Sequence, residues 1–300
     1  MKHDIVLYRP LLILTVIWLS VLIAEPVLAQ ETAEAPPKAW KTSVIGKVAG
    51  TQVGFQDWQG GGVNSLALST GLEGTATHIS GRLEQKHEMK LSFGVVKQDT
   101  LDLRKAEDLI WLSSTFVYKG EGFFGKFNPT FSTSVRTQFA EGFNFDTDPI
   151  SGVRTPPVKV SAFFAPATLQ QSFGLRYEPA EWFSQRLGIG AKETVVTIRR
   201  FRSLYGVNPQ DAVRFEAGIE ARTEIDKELV ENVHYKSSLG VFAAFNSADN
   251  PDLIWENLIA MKVNSWLNVN FEWVGLYDKD VTDKLQLKEV FSIGVAISLI

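Results

Sequence analysis

The sequence of 300 residues contains no cysteine. This excludes a disulfide framework and a lipid-modified N-terminal cysteine, so an exported form of the chain must be held by its sheet and core alone. The chain also lacks an apolar run long enough to span a bilayer as a helix, although hydrophobic residues make up 45% of it. We therefore exclude a helical membrane protein.

Positive charge is not in excess either, because the formal net charge is −4. Nucleic-acid binding gains no support from such a composition. The sequence shows no nucleotide-binding loop, nucleophile elbow, zinc-protease helix or calcium-hand loop. From these absences we expect no catalytic residue, no cofactor, no metal and no nucleic-acid partner.

Residues 1–29 have the pattern of a secretory signal peptide. Lys2 and Arg9 supply the positive region, an apolar region follows, and small residues end at Ala29. An uncleaved membrane anchor is the alternative. Residues 30–39 are polar and contain two prolines, which is typical of an extended segment and predicts a periplasmic lead-in.

The last fifty residues alternate apolar and polar side chains, as β-strands do. Between residues 267 and 278, Leu267, Val269, Phe271 and Trp273 share one face, and the opposite face is polar. The final segment, residues 285–300, has an apolar face opposite small and polar residues. The second face suggests a lumen.

From residue 40 to residue 300 the same alternation predicts twelve strands, each long enough to cross a membrane at a tilt. The predicted strands are residues 40–55, 64–79, 87–97, 109–119, 127–143, 167–177, 183–198, 213–225, 233–245, 253–264, 267–278 and 285–300. Short connections near Gly81, Gly120, Pro179, Asp226 and Ser265 alternate with longer ones. Membrane barrels have short periplasmic turns and longer outer loops.

Aromatic residues give a second indication, because Trp and Tyr favour the two interfaces of a bilayer. Trp40, Tyr118, Tyr177, Trp182, Tyr235 and Trp266 fall near predicted inner turns, and Phe55, Trp111, Phe139, Phe245, Trp255, Trp273 and Tyr277 near predicted outer ends. We predict an all-β fold, a transmembrane antiparallel up-and-down β-barrel of about twelve strands in the outer membrane. Its last strand pairs with its first. A soluble secreted β-sandwich is the alternative.

The histidines do not favour an enzyme. An outer-membrane lipid hydrolase needs a histidine beside a serine and an acid or amide on the lipid-facing surface, whereas His234 is predicted to face the lumen. His78 and His87 can approach each other across a hairpin, but two histidines make a poor metal site. We expect no enzyme activity and keep a lipid-modifying hydrolase as an alternative.

The last outer loop carries three aspartates, Asp278, Asp280 and Asp283. Calcium takes several oxygen ligands, so these carboxylates could hold a cation. A solvated charged loop is the prediction that we favour.

Charged residues line the predicted inner face of the C-terminal half. Five bases and five acids alternate with apolar residues there: Arg214, Arg222, Lys236, Lys262, Lys288, Glu216, Glu220, Glu224, Glu256 and Glu272. Charges confined in a narrow barrel are stabilised by pairing, so we predict a salt-bridged network that braces or plugs the lumen. The alternative is a solute path, which would show little ion selectivity because the charges balance.

Several short motifs resemble one bacterial family. They are Gly61-Gly62-Val63-Asn64-Ser65-Leu66, Asn250-Pro251 before Trp255, Met261-Lys262-Val263-Asn264, Tyr277-Asp278-Lys279-Asp280 and Leu287-Lys288-Glu289-Val290-Phe291. In these motifs the chain resembles the family called domain of unknown function 3078. The resemblance implies an outer-membrane β-barrel of Gram-negative bacteria with no assigned activity, and it supplies no catalytic residues.

One feature departs from the usual pattern of outer-membrane barrels. Such barrels commonly end in an aromatic residue that the assembly machinery recognises, whereas this chain ends in Leu299-Ile300. We still expect that machinery and the outer-membrane lipids to be partners. The expected function is a narrow passive channel or a structural barrel, with a soluble periplasmic binding module as a further alternative.

Overall fold

The computed structural model describes residues 40–53, 64–99 and 101–299. The predicted signal peptide (residues 1–29), the predicted lead-in (residues 30–39) and the glycine-rich loop Gly60–Gly62 lie outside the described residues.

Twelve antiparallel strands form a closed barrel in which almost every strand pairs with its neighbours in sequence. The strands of the barrel are β1 (Lys41–Val53), β2 (Ser65–Ser80), β3 (Leu83–Gln98), β4 (Arg104–Tyr118), β5 (Phe127–Thr137), β8 (Ala167–Ala180), β9 (Phe183–Val195), β10 (Val213–Val230), β11 (Val233–Ala244), β12 (Asp252–Lys262), β13 (Leu267–Asp278) and β14 (Thr282–Ser298). The predicted fold class and strand number are confirmed.

The barrel closes between the two ends of the chain. β14 pairs with β1 in a register that runs from Ile45↔Ser298 to Gly50↔Ile293. The predicted pairing of the last strand with the first is thus confirmed.

Alternation gives most strands a largely apolar outward face and a more polar inward face. On β10, Phe215 and Ile219 point outward and are 64% and 48% exposed, whereas Glu216 and Glu220 point inward and are 6% and 3% exposed. A surface with so many exposed large apolar side chains matches the lipid-facing band of a membrane barrel. Among the described residues, no helix is both long and apolar enough to cross a membrane.

The connections differ at the two ends of the barrel. At one end β2 and β3 are joined by a tight turn with Gly81 at a φ of 54°, and β10 and β11 by one with Asn232 at a φ of 65°. The connection near Gly120 is longer than predicted, because it holds a one-turn helix, α1 (Phe123–Lys126).

The fifth predicted strand is too long at its outer end, since β5 stops at Thr137 instead of continuing to residue 143. The Asp108 carboxylate accepts hydrogen bonds from the backbone N–H groups of Phe139 and Ala140, at 2.7 and 2.9 Å, and these contacts draw the chain out of the ladder. The chain beyond this point forms a separate two-stranded sheet of β6 (Gly142–Asn144) and β7 (Val158–Ser161).

A small apolar core holds the outer loops together. It consists of Ala162, Ala165, Val196, Phe201 and Val207, packed against Ile150, Ile198 and Tyr205. The 3₁₀ helix Arg199–Tyr205 contributes to this core and ends at Gly206, which has a φ of 64°. Burial raises the pKa of the Tyr205 phenol to about 12, and its hydroxyl donates to the Val160 carbonyl.

Candidate functional site

The lumen holds many of the charged side chains of the barrel. Strand alternation and the registers of β10 to β14 place all ten residues predicted for the lumen on the inward face. The structure brings some of them into ion pairs and leaves others apart. It also adds partners from β3, β4, β5, β8 and β9.

The most buried group of charges surrounds Lys192 on β9. Its ammonium group lies 3.0 Å from Glu216 and 3.8 Å from Asp278, and it also pairs with Asp252. Arg214 reaches the same Glu216 carboxylate at 3.1 Å. The Lys192 side chain is only 7% exposed, so water does little to screen these charges.

A second group lies further along β10. The Arg186 guanidinium is 2.6 Å from Glu220, and Arg222 is 3.6 Å from the same carboxylate. Arg222 also donates to the Ser238 hydroxyl at 3.1 Å. A small cavity of about 30 Å³ adjoins this group, lined by Lys86, Glu88, Thr115, Arg176, Ser184, Arg186, Arg222 and Glu224. Its lining comes from both walls of the barrel.

Besides the pairs of Lys192 with Asp252 and Asp278, two further ion pairs join strands that are not neighbours. Arg136 on β5 lies 2.8 Å from Glu256 on β12, and these strands are five places apart in the ring of twelve. Lys288 on β14 lies 3.4 Å from Glu107 on β4. Strands so far apart face each other across a barrel, so the pairs bridge the lumen.

The four remaining predicted residues belong to neither ion-paired group, although Glu224 lines the cavity beside the second one. Lys236 pairs with Asp226 at 3.1 Å within the β10–β11 hairpin, and both side chains are more than half exposed. The turn predicted near Asp226 lies instead at residues 231–232, because β10 continues to Val230. Glu224 accepts a hydrogen bond from the Ser184 hydroxyl at 3.1 Å. Lys262 and Glu272 make no ion pair with any residue in the described ranges.

Sequence reasoning missed Lys192, Arg186, Arg136 and Asp252. All four share the alternation of their strands, so the pattern could have placed their side chains inward. The partners that Lys192, Arg136 and Asp252 have on non-adjacent strands were beyond its reach, because such contacts depend on the size and stagger of the barrel. Trp111 was expected at an outer end, but it faces the lumen with the Lys90 ammonium 5.1 Å from its ring.

Three aspartates converge beside Lys192, although they are not the three aspartates expected from the sequence. Carboxylate oxygens of Asp252, Asp278 and Asp280 lie within 4.8 Å of one another, and Asp283 is not among them. Lys192 pairs with Asp252, and Arg214 lies 2.7 Å from Asp280. The protein's own bases therefore balance this acidic cluster.

The histidines lie in two places. His234, the second residue of β11, contacts Asp226 of β10. On the outward face, Trp40 stacks on His78 and lies 5.5 Å from the ring of His87. The His87 Nδ1 lies 2.8 Å from the Ser114 hydroxyl, but Ser114 is 2% exposed. A nucleophilic serine must reach its substrate, and this hydroxyl is covered.

Comparison with known families finds a match over part of the chain. Residues 51–143 match a family model described as "Protein of unknown function (DUF3078)". The resemblance seen in the sequence is confirmed over that segment. No curated protein matches the chain.

Solved structures similar to this chain are outer-membrane barrels. The translocator domain of the autotransporter NalP from Neisseria meningitidis is 8% identical with a TM-score of 0.38, and the match covers 96% of this chain and 95% of that one. The COG4313 outer membrane channel from Pseudomonas putida F1 is 10% identical, also with a TM-score of 0.38, and the match covers 90% of this chain and 98% of that one. Similarity this low does not allow the functions of those proteins to be assigned to this chain.

Proposed function

We propose that the protein is an outer-membrane barrel that acts as a narrow passive channel, restricted by ion pairs that cross its lumen. The observation that carries the proposal is the contact between Arg136 and Glu256, which lie on strands five places apart and 2.8 Å from each other. Outer-membrane lipids would cover the outward apolar face, and the assembly machinery would insert the barrel. The proposal requires no enzyme activity.

The bridging pairs would restrict flow because each occupies the cross-section of a small barrel. A barrel of about eight strands is just filled by its own side chains, so twelve strands leave a lumen that a few long charged residues can obstruct. The Arg136 and Glu256 side chains are 37% and 31% exposed, so water reaches them from the lumen. An ion could pass beside the pair or displace it.

Conductance in a planar bilayer tests the proposal. We expect small, weakly selective channels from the purified full chain, because bases and acids balance in the lumen. Replacing both partners, as Arg136→Ala with Glu256→Ala, should raise single-channel conductance several-fold, since two side chains leave the cross-section. The control is Arg82→Ala with Glu121→Ala, which removes an exposed pair next to a turn.

Each outcome of the experiment has a distinct meaning. Equal conductance from the wild type and the Arg136/Glu256 variant would show that the pair does not restrict the lumen. If neither the wild type nor the Arg136/Glu256 variant conducts, and a heat-modifiable gel shift shows that both barrels are folded, the protein is a structural barrel and not a channel. Protein that stays soluble without detergent would overturn the membrane location itself.

A further inference from the structure

The outward face of strands β11 to β14 carries polar side chains at mid-strand, where a lipid-facing surface is normally apolar. The register aligns Ser237 with Asn257, Asn257 with Trp273, and Trp273 with Glu289. Asn257 is the sixth of the eleven residues of β12, and Trp273 the seventh of the twelve of β13. In a membrane this row lies within the hydrocarbon region.

Asn257 is the centre of a hydrogen-bonded cluster on this face. Its Oδ1 accepts from the Tyr235 hydroxyl at 2.9 Å and from the Ser237 hydroxyl at 2.8 Å, while the Trp255 indole N–H donates to Ser237 at 3.1 Å. Asn257 is 4% exposed, and its Nδ2 has no hydrogen-bond partner in the described part of the chain. A buried amide donor without a partner is costly.

Glu289 is the second anomaly of the row. It lies on the outward face of β14 between Leu287, which is 68% exposed, and Phe291, which is 61% exposed. Its carboxylate makes no ion pair or hydrogen bond within the described residues, and neither does the indole N–H of Trp273 beside it. An unpaired carboxylate in hydrocarbon is unfavourable and marks a functional position.

We propose that two copies of this chain associate in the membrane through the β12–β14 face, which we define as Asn257, Trp273 and Glu289. The argument is complementarity: the row offers one unpaired acceptor, the Glu289 carboxylate, and one unpaired donor, the Trp273 indole N–H, while the buried Asn257 holds Tyr235 and Ser237 in place beside them. A two-fold axis along the membrane normal brings the acceptor of each copy to the donor side of the other. The proposal rests on the membrane location stated under the proposed function.

Aromatic rings provide the apolar part of this face. Trp273 stacks on Tyr235 with ring centroids 6.3 Å apart. It also packs edge-to-face against Trp255 and in a tilted arrangement against Phe271. Such rings are common anchors of protein interfaces, because they bury much area with little loss of side-chain freedom. Hydrogen bonds between membrane segments add specificity to this packing.

The molecular mass of the purified full chain in detergent and in nanodiscs tests the proposal. We expect a dimer whose dissociation constant rises about tenfold or more in Glu289→Leu, a loss of roughly 1.4 kcal/mol. The matched control is Gln171→Leu, which also replaces an outward polar side chain, on β8. A monomer at every concentration, or a Glu289→Leu dimer as tight as wild type, would overturn the interface.

A cross-linking measurement keeps the test valid if Glu289→Leu fails to fold. Because the chain has no cysteine, a single Leu287→Cys next to Glu289 should form a disulfide only with a second copy. Leu187→Cys, on the outward face of β9 and 59% exposed, should not. Equal cross-linking at both positions would contradict a defined face. Protein that stays soluble without detergent would instead refute the membrane location.

Discussion

Lys192 is the side chain on which the buried charges of the lumen depend. Its ammonium group pairs with Glu216, Asp252 and Asp278, so its removal leaves three carboxylates close together without their shared base. Breaking a buried ion pair by deleting one partner typically costs about 3–5 kcal/mol. We expect Lys192→Met to lower the free energy of unfolding by an amount in that range.

The control for Lys192→Met is Lys288→Met, which removes an ammonium group that is 46% exposed and pairs with Glu107 at 3.4 Å. Exposed pairs contribute about 0–1 kcal/mol. Denaturant unfolding of the detergent-folded barrel, followed by tryptophan fluorescence, compares the two. Equal losses would mean that Lys192 is not the central base of its group.

Asp148 fixes one outer loop and should make that loop sensitive to acid. Its carboxylate accepts the Ser151 hydroxyl and the backbone N–H groups of Ile150, Ser151 and Arg154, and these bonds hold its pKa well below the usual range. A lowered folded pKa contributes stability above the unfolded value of about 4. That contribution is lost as the pH falls through the folded pKa.

Hydrogen exchange of residues 148–154 measures this acid sensitivity. After correction for the intrinsic rate, protection should be constant from pH 7 to about 5 and fall below about 4. Asp148→Asn keeps the shape but not the charge, so its protection should be weaker at neutral pH and nearly independent of pH. If protection of this loop in Asp148→Asn still depends on pH, another titratable group causes the acid sensitivity.

At the scale of strands, the closing seam between β1 and β14 is sensitive to added volume at one glycine. A Cβ at Gly294 on β14 would lie 2.6 Å from the Val48 carbonyl oxygen and 2.9 Å from the Ala49 Cβ on β1. Added volume in a packed position costs about 1–3 kcal/mol. We expect Gly294→Ala to reduce the fraction that shows the folded band in a heat-modifiable gel.

Gly46→Ala is the matched control at the same seam, because its Cβ would meet only the Leu299 Cδ1 at 3.7 Å, an ordinary contact. The folded fraction of this variant should equal that of the wild type. If both variants fold equally well, β1 and β14 can move apart enough to accommodate the added methyl group at residue 294.

The strands are the part of this fold that the sequence predicts well. A period of two is a local property, so the faces of β10 and β13 can be assigned without knowing their neighbours. The end of β5 could not be assigned in this way, because residues 138–143 continue the alternation while the side chain of Asp108 removes them from the ladder. The Arg136–Glu256 pair was equally inaccessible, since its partners are 120 residues apart.

For the whole molecule, the two ends of the barrel differ in a way that sets its orientation. One end has tight turns, such as that between β10 and β11, and also receives the ends of β1 and β14, whereas the other carries the long loop with β6 and β7. Membrane barrels place short turns in the periplasm and long loops outside. The structured loops around Phe201 should therefore face the cell exterior.

Labelling of single cysteines in intact cells tests this orientation, and the cysteine-free chain needs no prior substitutions. Val153→Cys, in the long loop at a position that is 85% exposed, should react with a membrane-impermeant maleimide without further treatment. Glu231→Cys, in the exposed turn between β10 and β11, should react only after the outer membrane is permeabilised. The reverse labelling pattern would mean that the barrel has the opposite orientation. Labelling of both sites in intact cells would argue against insertion in the outer membrane.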